Sequence, residues 1–145
     1  MEGALKRLLS KKGADMFNRI ILALALSLSA APALAFEVSF SWEGLSLCTS
    51  GNPNNVTNPS FTLGSVPEGT KFIRFRLTDR DVPGYNHGGG VVPWNGEATV
   101  PPGMFDYKSP CPPNGVHTYE WTATAMTKKN GGKLGEARAQ RQYPE

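Results

Sequence analysis

A chain of 145 residues has room for one domain, and its formal charge of +3 would suit a nucleic-acid partner only if the basic residues clustered on one face. They do not: the whole excess lies in residues 1–35, where five basic residues face two acidic ones, and the remaining 110 residues hold ten of each. A formally neutral domain gives no electrostatic footing for nucleic acid.

The leader explains its own charge. Ile20 to Ala31, "IILALALSLSAA", is an apolar run of secretory length, preceded by Arg19, Lys12 and Lys11 and closed by Pro32. Ala33-Leu-Ala35 follows as a small-x-small cleavage pattern, so cleavage is expected before Phe36. The expected organisation is an N-terminal extension and secretory signal peptide over 1–35, with Met16 as an alternative start, and one domain over 36–145. The run is short for a membrane span, and no stable transmembrane segment is expected after cleavage. A periplasmic or secreted protein is therefore expected. Cys48 and Cys111 both fall in the exported part, where two cysteines invite one disulfide.

Along the domain, "FEVSFSW" (36–42) places Phe36, Val38, Phe40 and Trp42 at period two and reads as a strand with one buried face. Leu45 to Pro59 is rich in Ser, Asn, Gly and Pro and reads as loop. Ser60 to Leu63 reads as a short strand. Val66-Pro-Glu-Gly69 is a turn. "KFIRFRLTD" (71–79) is the clearest strand, with Arg74, Arg76 and Thr78 as the polar partners of an apolar face. Short strands are expected within 88–94 and 96–102, the latter at an edge because prolines end it. "VHTYEWTATAM" (116–126) is rich in Thr and aromatics, as strands are. The tail turns at Gly131-Gly132, and a terminal strand is expected over 134–143 because its apolar spacing is two. Short strands, turn signals and almost no helical pattern imply an all-β sandwich.

Two stretches carry candidate chemistry. Asp79-Arg-Asp-Val-Pro-Gly-Tyr-Asn-His-Gly-Gly-Gly90 ends the clearest strand with two acids, a turn, a histidine and three glycines. As a turn, its acids would bond nearby amides; as a site, its glycines would admit a ligand to the backbone. Ser109-Pro-Cys-Pro-Pro-Asn-Gly-Val-His-Thr-Tyr119 is a stiff proline loop feeding a strand on which His117 and Tyr119 share a face. These are the chain's two histidines, each beside a rigid loop.

Both stretches resemble the phosphatidylethanolamine-binding protein family. Asp79-Arg-Asp-Val-Pro83 is similar to the family's Asp-Pro-Asp-Ala-Pro motif. The proline loop is similar to its Gly-Pro-(Cys)-Pro-Pro-x-Gly-x-His-Arg-Tyr motif, and "GSVPEGTKFIRFRLTDRD" to its segment "GVPEGTKSFALTVYDPD". The resemblance spans roughly Ser60 to Ala125. It implies a Greek-key-like antiparallel β-sandwich with a small pocket for phosphate-like anions such as phospholipid headgroups. By matching position, Asp79, Asp81, Pro83, His87, Pro112, Pro113, His117 and Tyr119 would line or shape it. Arg80 replaces the first motif's proline, Thr118 the arginine after the second histidine, and Ser109 or Pro110 the glycine that opens the second motif. The loop before His87 is short and lacks the family's accompanying aromatic. The C-terminal helices of long members are absent.

The chemistry expected is binding. Histidines and loop amides can donate to phosphate oxygens, whereas Asp79 and Asp81 would orient a histidine, accept an ammonium or anchor amides. A histidine–aspartate pair favours protonated imidazole, so anion binding is expected to strengthen at mildly acidic pH. Ser109 and Cys111 lie close to His117 in sequence, which is not a triad, and no activated nucleophile is visible, so no catalysis and no cofactor are expected; a small hydrolase with His117 or His87 as general base and an Asp orienter is one alternative. A metal site of His87, His117, Asp79 and Asp81 is another, although the spacing matches no standard motif. A third is a protein–protein or inhibitor module using the same surface.

Overall fold

The computed structural model describes residues 34–145. The expected leader lies outside the described residues, apart from its last two positions. The described residues form nine strands and no helix: β1 (Glu37–Phe40), β2 (Asn55–Thr57), β3 (Phe61–Gly64), β4 (Phe72–Asp79), β5 (Gly89–Pro93), β6 (Thr99–Val100), β7 (Asp106–Lys108), β8 (His117–Lys128) and β9 (Gly131–Tyr143). Every pairing is antiparallel. They make a three-stranded sheet β1-β3-β6, a two-stranded ribbon β2-β7 and a four-stranded sheet β5-β4-β8-β9.

Period-two patterning sets what each strand buries. On β4, Ile73, Phe75, Leu77 and Asp79 point inward, while Arg74 and Arg76 point out. On β8, Tyr119, Trp121, Ala123 and Ala125 take the inward positions. The core forms where β3 meets these two strands. The Phe61 ring stacks on Phe75 at 4.2 Å and meets Trp121 edge-on at 5.1 Å. Each such buried aromatic contributes about 1.5–3 kcal/mol through the area it removes from water.

Three local expectations change. The stretch 45–59 holds β2 as well as loop, and β7 occupies a stretch given no strand. Both are three residues long, too short to show a period, and each forms against the other. Asn58 holds that ribbon in place. Its side chain accepts from the amides of Met104 and Phe105 at 2.8 and 3.1 Å and donates to the carbonyls of Pro59 and Pro101. The tail is a strand, as its spacing implied. Its turn, however, falls at Lys129 and Asn130, and Gly131 already pairs with Lys128.

Cys48 and Cys111 form a disulfide, with Cα atoms 4.7 Å apart and 63 residues of separation. It fastens the loop after β1 to the proline loop before β8. The end of β9 supports the same point. The Tyr143 hydroxyl accepts from the Cys48 amide at 2.7 Å and donates to the Ser46 carbonyl at 3.0 Å. Closing so long a loop restricts the unfolded chain, which predicts that Cys48→Ala/Cys111→Ala lowers the unfolding free energy by about 4 kcal/mol. Urea denaturation measures this directly, and an unchanged midpoint and slope would contradict it.

Candidate functional site

The site is organised by Asp79, the last residue of β4. Strand parity turns it inward beside Leu77, and only 4% of it is exposed. A carboxylate there needs partners. Its Oδ1 accepts from the amides of Asp81 and Val82 at 2.9 and 3.1 Å, which forms the turn that follows the strand. Its Oδ2 accepts from His117 Nδ1 at 2.7 Å. Burial alone would raise the Asp79 pKa, but these hydrogen bonds and the imidazole charge outweigh it and hold the group below its ordinary 3.8. Asp81 is exposed, and its Oδ2 accepts from the Thr118 amide at 2.7 Å. The turn is thus tied to the start of β8 at two points. Arg80 adds a third, because its amide donates to the Thr118 carbonyl at 2.8 Å. A proline at position 80 has no N–H for that bond, so the departure from the family motif lengthens the strand pairing by one step.

Tyr119 sits between the two histidines. It pairs in register with Asp79 across β4 and β8. The His117 ring lies roughly parallel to the Tyr119 ring at 6.3 Å, and the His87 ring meets it edge-on at 5.4 Å. Burial, followed by the charge of Asp79, pushes the Tyr119 phenol up. His87 is 2% exposed, and its Nδ1 donates to the Lys108 carbonyl at 2.8 Å. Burial pushes its pKa below the ordinary 6.5, offset in part by the Lys108 carbonyl and the Asp79 charge. Tyr85 meets the His87 ring edge-on at 4.6 Å.

The structure therefore groups Asp79, Asp81, His117 and Tyr119, with His87 behind Tyr119. Pro112 is buried in the proline loop, next to the disulfide. Pro83 is exposed in the turn. Pro113 is exposed and leans on the disulfide loop, where a Cβ on Gly51 would lie 3.0 Å from its own. The glycines after His87 serve packing: a Cβ on Gly89 would overlap the Phe75 carbonyl, and one on Gly90 the Phe105 ring. A cleft of about 600 Å³ lies elsewhere, lined by Ser41, Trp42, Leu45, Val56 and Tyr107 among others, and none of the eight nominated residues borders it.

Ligand atoms of Asp79, Asp81 and His117 lie within 4.8 Å of one another, which is close enough to share a cation. Both oxygens of Asp79 and one of Asp81 already accept hydrogen bonds, so a cation would compete with the contacts that build the turn. Two nucleophile candidates are withdrawn by their surroundings. Cys111 is bridged, and Ser109 is 1% exposed with its Oγ accepting from the Asn54 amide at 3.0 Å.

Together, this strand arrangement defines the fold of the phosphatidylethanolamine-binding proteins. Two solved structures of that family share it. One is YbcL of E. coli, described as a new member of the mammalian family: TM-score 0.57, 20% identity, 76% of this chain covered and 98% of that one. The other is the homologue CT736 of Chlamydia trachomatis: TM-score 0.54, 15% identity, 77% of this chain and 98% of that one. No family model and no curated protein matches the sequence. At such identities the likeness carries the fold and leaves the ligand to this chain's own residues.

Two predictions follow from the hydrogen bonds. Asp79 forces the Nδ1–H form on His117, so Asp79→Asn, whose amide nitrogen can face the ring, is expected to move the proton to Nε2. Nitrogen NMR of the imidazole at alkaline pH reads the tautomer, and an unchanged ring would exclude the pairing. Burial lowers the His87 pKa in the folded state, whereas the unfolded chain protonates the ring near 6.5. Stability is therefore complete above that pH and is lost as the pH falls below it. Asp79 adds its own loss only below its ordinary 3.8. His87→Asn keeps a donor for the Lys108 carbonyl and removes the titration. Its melting temperature is expected to fall less than the parent's between about pH 7 and about pH 5.

Proposed function

We propose that the chain is an exported, non-catalytic binding module of the phosphatidylethanolamine-binding type, its two packed sheets a Greek-key-like sandwich. Its ligand is a phosphate-bearing small molecule or phospholipid headgroup held at Asp79, Asp81, His117 and Tyr119, with His87, Pro83, Pro112 and Pro113 shaping the surround. The observation that carries this reading is the 2.7 Å pair between Asp79 and His117. With Nδ1 committed to Asp79, His117 has Nε2 for the ligand. When the ring is protonated, Nε2–H donates to a phosphate oxygen. Burial lowers the His87 pKa, and that ring lies behind Tyr119, so the direct contact with the phosphate is assigned to His117 Nε2.

The two carboxylates narrow the ligand. A bare phosphate beside Asp79 and Asp81 meets like charge, whereas a zwitterion offers its ammonium to Asp81 and its phosphate to His117. Phosphoethanolamine is expected to bind more tightly than inorganic phosphate. Histidine-ring NMR during a phosphoethanolamine titration tests this: both rings should shift saturably, His117 by direct contact and His87 through Tyr119. If neither ring moves, this site does not bind headgroups.

One observation favours a second reading. Val82, Tyr85 and Val116 are 47, 42 and 54% exposed, and they border the site on the turn and on the approach to β8. Such an apolar rim suits a protein partner on the same surface. In that case the rim residues, and not the histidines, would respond to the partner.

A further inference from the structure

A different part of the molecule has the charge that the Asp79 site lacks. Arg74 and Arg76 stand on the outer face of β4, two residues apart on an extended strand and so about 7 Å from each other. Among the described residues, neither guanidinium has an ion-pair or hydrogen-bond partner. The neighbouring acids are already engaged. Glu120 meets Arg138 at 3.4 Å and Arg80 at 3.7 Å and accepts from Gln140 at 2.6 Å. Glu136 meets Arg138 at 2.6 Å and Lys133 at 2.7 Å.

On the other flank, β5 sets Gly89 opposite Arg76 and Val91 opposite Arg74. The packing that requires glycine at 89 and 90 also removes side chains from this edge. The result is an open cleft of about 340 Å³ lined by Arg74, Arg76, Asn86, Val91 and the three glycines. The Asn86 Oδ1 accepts from the Gly88 amide at 3.0 Å, which leaves its amide N–H groups as donors. Among the described residues, no carboxylate lines the cleft. Its side chains offer two guanidiniums and one amide, all donors, on a floor without bulk.

We propose that this cleft is a second binding site, for a phosphate- or sulfate-type oxyanion held between Arg74 and Arg76. Guanidinium groups match such oxygens in pairs, and the lack of a competing acid leaves both free to do so. The proposal stands independently of the headgroup reading, because it concerns other residues on the outer face of the sheet.

The test is a titration of the protein with inorganic phosphate, with sodium chloride at matched ionic strength alongside. Arginine side-chain N–H and histidine-ring signals are followed together. The Arg74 and Arg76 signals should shift saturably with phosphate and not with chloride. Arg74→Gln/Arg76→Gln should weaken phosphate binding by roughly tenfold or more, because two charge-assisted contacts are lost. Both positions are exposed, so the double variant should keep the parent's circular dichroism and its histidine-ring response to phosphoethanolamine. Equal shifts with chloride, unchanged phosphate affinity in the variant, or a response at His117 alone would each overturn the proposal. Vesicles of phosphatidylglycerol, against phosphatidylcholine as control, distinguish the source. Sedimentation that depends on the two arginines marks a lipid headgroup. Phosphate binding without sedimentation marks a free oxyanion.

Discussion

The arrangement around the candidate site depends on one buried charge. Asp79 takes an inward position on β4, where the three preceding inward residues are Ile73, Phe75 and Leu77. An ion moved from water to such a place costs several kcal/mol unless good geometry offsets it. Three hydrogen bonds do so, and each fixes something else. Two shape the turn over 80–82, and one orients His117. The Asp79–Tyr119 register then sets Tyr119 beside the carboxylate, and β-strand parity puts His117 on the same face two residues earlier.

A second constraint holds the opposite wall. The proline loop before β8 has little regular structure of its own and depends on the Cys48–Cys111 bridge. The loop carrying Cys48 depends in turn on Tyr143, almost at the end of the chain. The last strand therefore contributes to the site without lining it. Two of its residues are buried in the core, the small Ala137 and Tyr143, whose hydroxyl also acts as a polar clasp. A domain of this size has a modest core, so cross-links of this kind carry a larger share of its stability.

The long strands were legible because period two survives in them. Ile73, Phe75 and Leu77 alternate with arginines, and Tyr119 and Trp121 fall on one face of β8. The ribbon β2-β7 was not legible, since three-residue strands show no period and their pairing spans about 50 residues of sequence. The buried clamp of Asn58 lies in a stretch whose composition signals only loop. At the candidate site, two acids and two histidines beside rigid loops drew attention to residues that prove to be neighbours. Which of them would be buried was not legible. Both histidines stand beside rigid loops, yet His117 is left partly accessible and His87 is hidden behind Tyr119, and only the tertiary packing decides between them. Likewise, the glycines after His87 read as admitting a ligand to the backbone, whereas contact with Phe75 and Phe105 is what requires two of them to be glycine.

Charge in this domain is sorted by place, although its total is balanced. The inward end of β4 concentrates carboxylate, with one histidine buried nearby and another tied to Asp79. The outer face of the same strand carries guanidiniums that the local acids leave unpaired. A neutral composition therefore conceals two fields of opposite sign on the two faces of one strand, set by the alternation that also builds the core. On the readings proposed for the two sites, a ligand with both charges would bind at the first and a ligand with only negative charge at the second. That division follows from the parity of β4: one residue of register shift would turn Asp79 out to solvent, turn Arg74 and Arg76 into the core, and abolish both.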